Sequence, residues 1–221
     1  MKKLLCLALL GISVLGANEL ENKCNKKDLG ACVDLGVQYS NNKDYENARD
    51  LWIKACNGGN TVGCYNLGVL YSGEIGGLHP NYEKSKNYYT KACNSGYAIS
   101  CFKLGNLEKK DNMTKALGYY LKACNGKYIE GCYESGDLYE YGDSWKGTMK
   151  VDMPKAIKYY TVACDSGNVK SCDHLGSMYK SGVSVKKDLS KAKKYFKKAC
   201  DLDPYYGVIF KPCDEYKKII E

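Results

Sequence analysis

Cysteine is the residue here with the most chemistry to offer, as disulfide or as metal ligand, and its spacing separates the two. Five pairs stand eight residues apart: Cys24/Cys32, Cys56/Cys64, Cys93/Cys101, Cys124/Cys132 and Cys164/Cys172. Cys200 and Cys213 form a sixth, wider pair. There is no Cys-x-x-Cys, so zinc, haem and thioredoxin-like sites lack their spacing; no metal and no cofactor is expected. The first cysteines recur at intervals of 32, 37, 31, 40 and 36 residues, which reads as a repeat with one covalent staple per unit. The two histidines, His79 and His174, stand apart and read as surface residues rather than bases.

The elements that position these cysteines are legible in the same alignment. Before each first cysteine stand LWIKAC, YYTKAC, YYLKAC, YYTVAC or YFKKAC, with Trp52, Tyr89, Tyr120, Tyr160 or Phe196 four residues earlier and Ala48, Ser85, Ala116, Ala156 or Ala192 eight earlier. Steps of four place these on one stripe of a helix, here termed B-type. After each second cysteine comes Leu35-Gly36, Leu67-Gly68, Leu104-Gly105, Ser135-Gly136 or Leu175-Gly176, then Tyr39, Tyr71, Glu108, Tyr139 or Tyr179 seven residues on. Offsets of three, four and seven mark a second, A-type helix. Its recurrent glycine costs roughly 1 kcal/mol against alanine, so close helix packing at that slot is expected.

Residues eight apart on one straight helix lie about 12 Å apart, whereas a disulfide needs Cα atoms within roughly 7 Å. The chain must therefore reverse between paired cysteines. Turn formers such as Asn57-Gly58-Gly59-Asn60 and Asp165-Ser166-Gly167-Asn168 occupy the gap. Length variation collects between the tyrosine and alanine slots, at 9, 14, 8, 17 and 13 residues, as in a solenoid with loops on one edge. Asp152 and Asp188 are expected N-caps. The fold expected is all-α, an α/α superhelical solenoid of cysteine-to-cysteine units 24–56, 56–93, 93–124, 124–164 and 164–200. A C-terminal cap covers 201–221, with a short helix from Asp214.

The chain opens with Lys2 and Lys3, an apolar run from Leu4 to Leu15, then Gly16 and Ala17. This is the pattern of a signal peptide, residues 1–17, leaving 18–221 as a single domain. Removing it removes Cys6 and leaves twelve cysteines, an even number suited to an oxidising compartment. The run is too short for a membrane span, so no transmembrane segment is expected. The formal charge of +8 falls to +6 without Lys2 and Lys3. Arg49 is the only arginine, and the lysines recur within the repeats, which argues for a solvated helix face and against nucleic acid.

Leu-Gly-x-x-Tyr followed by Lys-Ala-x-x-Tyr-Tyr-x-Lys-Ala resembles the Sel-one-like repeat, a relative of the tetratricopeptide repeat. With Lys-Ala-Cys and a second cysteine eight residues on, the mature chain resembles the Helicobacter cysteine-rich proteins. The resemblance implies a right-handed superhelix of disulfide-bridged α/α units, secreted or periplasmic. It implies either an interaction protein or a weak penicillin-binding β-lactamase. Strings for the latter exist: Ser-x-x-Lys at Ser100, Ser177, Ser184 and Ser190, Ser166-Gly167-Asn168, and Lys180-Ser181-Gly182. Ser166-Gly167-Asn168 reads better as the turn between bridged helices and Lys180-Ser181-Gly182 as an A-helix end, with no strand to carry it. No catalytic residue is assigned.

The leading expectation is a monomeric interaction module that takes a protein, a peptide or a peptidoglycan fragment on a concave face lined by A-type helices. Side chains there that depart from the repeat pattern are the contact candidates: Tyr65, Asn66, Phe102, Asn106, Tyr133, Asp137, Asp173 and His174. Tyrosine brings rigid amphipathic area and asparagine bidentate hydrogen bonding.

Overall fold

The computed structural model describes residues 16, 18–75, 79–142, 149–203 and 212–220. A helix α1 covers residues 18–25. It is followed by α2 (Leu29–Asn41), α3 (Tyr45–Asn57), α4 (Thr61–Ser72), α5 (Tyr82–Asn94), α6 (Ala98–Glu108), α7 (Met113–Asn125), α8 (Ile129–Tyr141), α9 (Met153–Asp165), α10 (Val169–Ser181), α11 (Leu189–Leu202) and α12 (Pro212–Ile220). No strand occurs among the described residues, and the fold is the all-α repeat class read from the sequence. Even-numbered helices α2–α10 are A-type; α3–α11 are B-type. Residues 1–15 and 17 of the signal segment, residues 76–78 and 143–148 of two loops between A-type and B-type helices, and residues 204–211 of the C-terminal cap lie outside the described residues. The C-terminal helix begins at Pro212, ahead of Cys213 and of the Asp214 start expected.

Two compact units divide the chain, Met1–Ser100 and Cys101–Glu221. Within the first, α2 packs on α3, α3 on α4 and α4 on α5. Within the second, α7 to α12 each pack on the next.

The recurrent glycine is where the B-helix aromatic lies. A Cβ on Gly36 would meet the Trp52 indole at 2.5 Å, one on Gly136 the Tyr160 ring at 2.7 Å, and one on Gly176 the Phe196 ring at 2.7 Å. Gly68 under Tyr89 and Gly105 under Tyr120 are closer still. Only hydrogen fits that slot, so the glycine is a packing seat and not a flexible joint. The aromatics are buried to 3% exposure or less, and Ala48, Ser85, Ala116, Ala156 and Ala192 are fully buried. Ser85 donates its hydroxyl to the Gly68 carbonyl at 2.7 Å, which satisfies the one polar group in that slot.

Each turn between cysteines eight residues apart is a Schellman motif. Three residues after the first cysteine the backbone is left-handed, at Lys27 (φ 70°), Gly59 (95°), Gly96 (88°), Lys127 (66°) and Gly167 (98°). Its N–H donates to the carbonyl of the first cysteine, for example Gly167 to Cys164 at 3.1 Å, and the next N–H to the residue before that cysteine, Asn168 to Ala163 at 3.0 Å. These bonds satisfy helix-end carbonyls. The reversal brings bridged Cα atoms to 4.7 Å at Cys24–Cys32, 4.6 Å at Cys56–Cys64, 4.6 Å at Cys124–Cys132 and 4.8 Å at Cys164–Cys172. Cys93 and Cys101 are also disulfide-bonded, and Cys200 bridges Cys213 with Cα atoms 4.8 Å apart.

Loop length varies without disturbing this frame because each loop is closed at its base. The N-cap of every B-helix, Asp44, Asn81, Asn112, Asp152 or Asp188, lies four residues before the alanine slot. Its backbone N–H donates to the carbonyl of the tyrosine slot, at 2.9 Å from Asp44 to Tyr39, 2.8 Å from Asn81 to Tyr71, 2.8 Å from Asn112 to Glu108, 2.7 Å from Asp152 to Tyr139 and 2.9 Å from Asp188 to Tyr179. Closing a longer loop costs little extra entropy, about 0.6 kcal/mol per doubling. Above this latch a lysine covers the tyrosine ring: Lys84 on Tyr71 at 5.1 Å, Lys155 on Tyr139 at 5.2 Å and Lys191 on Tyr179 at 4.9 Å. Where Glu108 replaces the tyrosine, Lys115 forms an ion pair with it at 3.3 Å. The same slot thus keeps its cation by switching from ring to carboxylate.

Candidate functional site

Residue choices that the frame does not dictate collect one, two and five positions after the second cysteine, on the A-type helices. Tyr65, Phe102 and Tyr133 occupy the first of these positions, Asn66, Glu134 and His174 the second, and Val37, Asn106 and Asp137 the third.

In the first unit Tyr65 and Asn66 line a cavity of 160 Å³ with Val37, Ser40, Trp52, Val69 and Ile75. The wall is apolar. Val37 and Ile75 remain exposed, and Ile75 is held by the Tyr45 hydroxyl, which donates to its carbonyl at 3.2 Å. The Tyr65 ring is fixed between Tyr89 (6.0 Å) and Tyr97 (5.3 Å), so it presents a rigid face. This hollow suits an apolar side chain, with the Asn66 amide beside it.

The second unit holds a larger cavity of 370 Å³, lined by Phe102, Ile129, Glu130, Tyr133, Glu134, Gly167, Asn168, Val169 and Lys170. Phe102 packs on Tyr120 at 5.7 Å and Tyr128 at 5.0 Å, and Tyr133 on Tyr160 at 5.7 Å. Three further candidates in this unit, Asn106, Asp137 and His174, take part in polar contacts between neighbouring helices. Lys109 bonds Glu134 at 2.7 Å and lies 3.7 Å from Asp137. Asn106 accepts the Tyr120 hydroxyl at 2.8 Å. Glu140 accepts the Tyr160 hydroxyl at 2.8 Å and contacts His174 Nε2 at 2.6 Å, with the imidazole 4.7 Å from the Tyr160 ring.

The electrostatics follow from burial and pairing. Burial pushes Asp137 up, against the pull of Lys109, and burial likewise pushes Asp173 up. Burial also acts on Glu140, but the hydrogen bonds from His174 and Tyr160 together outweigh it and hold that carboxyl below its ordinary range. Burial, then the hydrogen bond to Glu140 and that group's charge, pushes Tyr160 far above the ordinary phenol.

The structure therefore divides the eight candidates. Tyr65 with Asn66, and Phe102 with Tyr133, line cavities. Asn106, Asp137 and His174 take part in the polar contacts between helices, and Asp173 is half-buried beside His174 in the sequence. Sequence reasoning missed Val37, which stands in the same slot as Asn106 and Asp137 and was findable by that alignment. It also missed Glu130, Asn168 and Lys170, which come from turns and first helical residues and carry no periodic signal, and Glu140, which sits next to the tyrosine slot.

The β-lactam strings do not assemble. Ser100 is fully buried, Lys180 is ion-paired with Glu215, and Ser166-Gly167-Asn168 is the α9–α10 turn, with Ser166 and Asn168 serving as caps. Among the described residues no group of three His, Cys, Asp or Glu could hold a metal, and no helix is long and apolar enough to cross a membrane.

The Sel1 repeat family model matches residues 30–60, 61–97, 98–128, 129–168 and 169–204. Among solved structures, a protective antigen of uropathogenic Escherichia coli with an SLR fold is 25% identical with a TM-score of 0.74, over 84% of this chain and 40% of that one. The chain thus spans less than half of that antigen's length. A Sel1 repeat protein from Oxalobacter formigenes is 20% identical with a TM-score of 0.69, over 97% of this chain and 96% of that one. Helicobacter pylori cysteine-rich protein B is 35% identical with a TM-score of 0.43, over 55% of this chain and 87% of that one. No curated protein matches the chain.

Proposed function

This chain belongs to the Sel1 repeat family, and from that premise we propose that it is an exported, monomeric interaction module whose A-type helices bind an extended peptide segment. The segment belongs to a protein or to the peptide stem of a peptidoglycan fragment. One observation carries the reading. The slot after the second cysteine supplies aromatic walls (Tyr65 in one cavity, Phe102 and Tyr133 in the other) that the repeat frame does not require. Rigid aromatic faces beside an amide and charged groups are the means by which side chains of a peptide are held in register.

Export is supported by Lys2 and Lys3, the apolar run and the small residues that follow them, and by disulfides that persist only where thiols are oxidised. Edman sequencing of the mature protein is expected to begin at Asn18. Selection from a random peptide library on the oxidised chain is expected to enrich a common motif. No enrichment over a reduced, alkylated control would sink the peptide reading. A nitrocefin assay on the pure protein tests the hydrolase alternative, with no turnover expected.

A further inference from the structure

In the second unit charge is sorted between α8 and the B-type helices, whereas the A-type α10 is mixed, with Lys170 and Lys180 beside Asp173. The A-type α8 carries Glu130, Glu134, Asp137 and Glu140 and no basic residue. The B-type α7, α9 and α11 carry Lys115 and Lys122, Lys155 and Lys158, and Lys191, Lys193, Lys194, Lys197 and Lys198, against Asp165 and Asp201. Part of this is structural: the slot of Lys115, Lys155 and Lys191 covers the latch. Lys198 pairs with Asp165 at 2.5 Å and Lys197 with Asp201 at 2.6 Å. Lys158, Lys193 and Lys194 are exposed, and none pairs with a carboxylate of the described residues. Each lies over a tyrosine ring, Lys158 over Tyr159, Lys193 over Tyr216 at 6.0 Å and Lys194 over Tyr195, and keeps its ammonium group open to solvent.

We propose that this outer face of α9 and α11 docks a linear anionic polysaccharide, a function separate from peptide binding on the A-type helices. Charge complementarity selects an anion. Repetition selects a polymer, because Lys158 of one repeat reappears as Lys194 in the next, so a chain with regular charge spacing meets the same ammonium and tyrosine pair twice. Residue type selects a sugar. Tyr159 lies beside Lys158 at 5.5 Å and Tyr195 beside Lys194 at 5.8 Å, each half-buried and stacked on Tyr139 or Tyr179, so that a fixed phenol hydroxyl stands near each ammonium group to exchange hydrogen bonds with sugar hydroxyls. Nucleic acid is disfavoured because the unit has no arginine for bidentate phosphate or base contacts. A bilayer is disfavoured because the apolar stripes of these helices are buried against their A-type neighbours, leaving exposed only Val162 on α9 and Leu189 and Leu202 at the two ends of α11, which form no continuous apolar face.

The test uses the full oxidised chain and a fluorescent heparin oligosaccharide in about 0.15 M salt, where exposed charges are screened beyond roughly 8 Å. Two variants of equal net charge are compared. One carries Lys158→Gln, Lys193→Gln, Lys194→Gln and Lys197→Gln; the other carries Lys26→Gln, Lys43→Gln, Lys54→Gln and Lys110→Gln. Thermal melts establish that both are folded. The first is expected to lose at least tenfold in affinity and the second less than threefold. Equal losses would mean that binding follows net charge alone and would overturn the site. Equal or tighter binding of a mixed-sequence DNA duplex, or of vesicles of four parts phosphatidylcholine to one part phosphatidylserine, would overturn the glycan. Absence of heparin binding by the parent chain would overturn the proposal outright.

Discussion

Substituting alanine for glycine should act in opposite directions at two helical positions, and the sign follows from what lies above each Cα. Gly176 is in α10 under Phe196, where an added Cβ would meet three ring carbons at 2.7, 2.8 and 2.9 Å. Ordinary contact begins near 3.4 Å, so the ring or the helix must retreat by roughly 0.7 Å. Phe196 is 1% exposed and has no free direction. Overpacking against a ring that cannot move falls in the upper part of the usual range, about 2–3 kcal/mol, and the gain in helix propensity returns about 1 kcal/mol. A net loss of about 1–2 kcal/mol is expected for Gly176→Ala. Gly118 lies inside α7 with nothing within 4 Å of its added Cβ. Gly118→Ala should therefore gain about 1 kcal/mol. Urea unfolding with the bridges intact, followed by circular dichroism, measures both. In a Phe196→Leu background the Gly176→Ala penalty should shrink by about 1 kcal/mol, the signature of direct contact. A neutral or stabilising Gly176→Ala, or a penalty unchanged by Phe196→Leu, would refute the packing-seat argument.

Other outcomes follow from the same geometry. Replacing Cys124 and Cys132 together by serine should cost about 2.5 kcal/mol by the chain-entropy model for so short a loop, read from the urea midpoint. Lys127 holds φ at 66°, so Lys127→Gly should raise the melting temperature, relief of left-handed strain outweighing glycine's added chain entropy. Gly59→Ala, in the same slot, should lower it. Asp173 is pushed up by burial; its folded state holds a proton more tightly than the unfolded one, so its contribution to stability falls as pH rises through the carboxylate range. Asp173→Asn should therefore stabilise at pH 7, with the difference fading toward pH 3. Glu140 is held down, so its contribution is present above the unfolded carboxylate range and is lost as pH falls through the folded value. Glu140→Gln should be most destabilising at neutral pH and nearly silent in acid.

The frame was legible in the sequence because it is periodic. Steps of four exposed the B-helix stripe of Trp52, Tyr89, Tyr120, Tyr160 and Phe196, and the glycine slot foretold a close approach whose partner proved to be that stripe. The turn was legible because a bridge across eight residues forbids a straight helix. The latch between the N-cap N–H and the tyrosine-slot carbonyl was hidden, since a backbone bond across loops of different length leaves no residue signature. Lysine over Tyr71, Tyr139 and Tyr179 was read as solvated charge, yet its exchange for an ion pair at Glu108 shows that it belongs to the frame. The candidate site was half legible. Aromatics after the second cysteine stood out by departing from the pattern, whereas Glu130 and Lys170 enter their cavity as the second residues of α8 and α10, where the repeat imposes no residue type.

The central claim is that the A-type cavities bind a peptide. Calorimetric titration of one library-selected peptide into the parent chain, Asn66→Ala, the pair Glu130→Ala with Lys170→Ala, and the four-lysine B-face variant tests it most directly. At least a tenfold loss in one or both cavity variants, with the B-face variant unchanged, is the predicted result. Affinity that ignores both cavity variants, or that falls only with the B-face lysines, would contradict it.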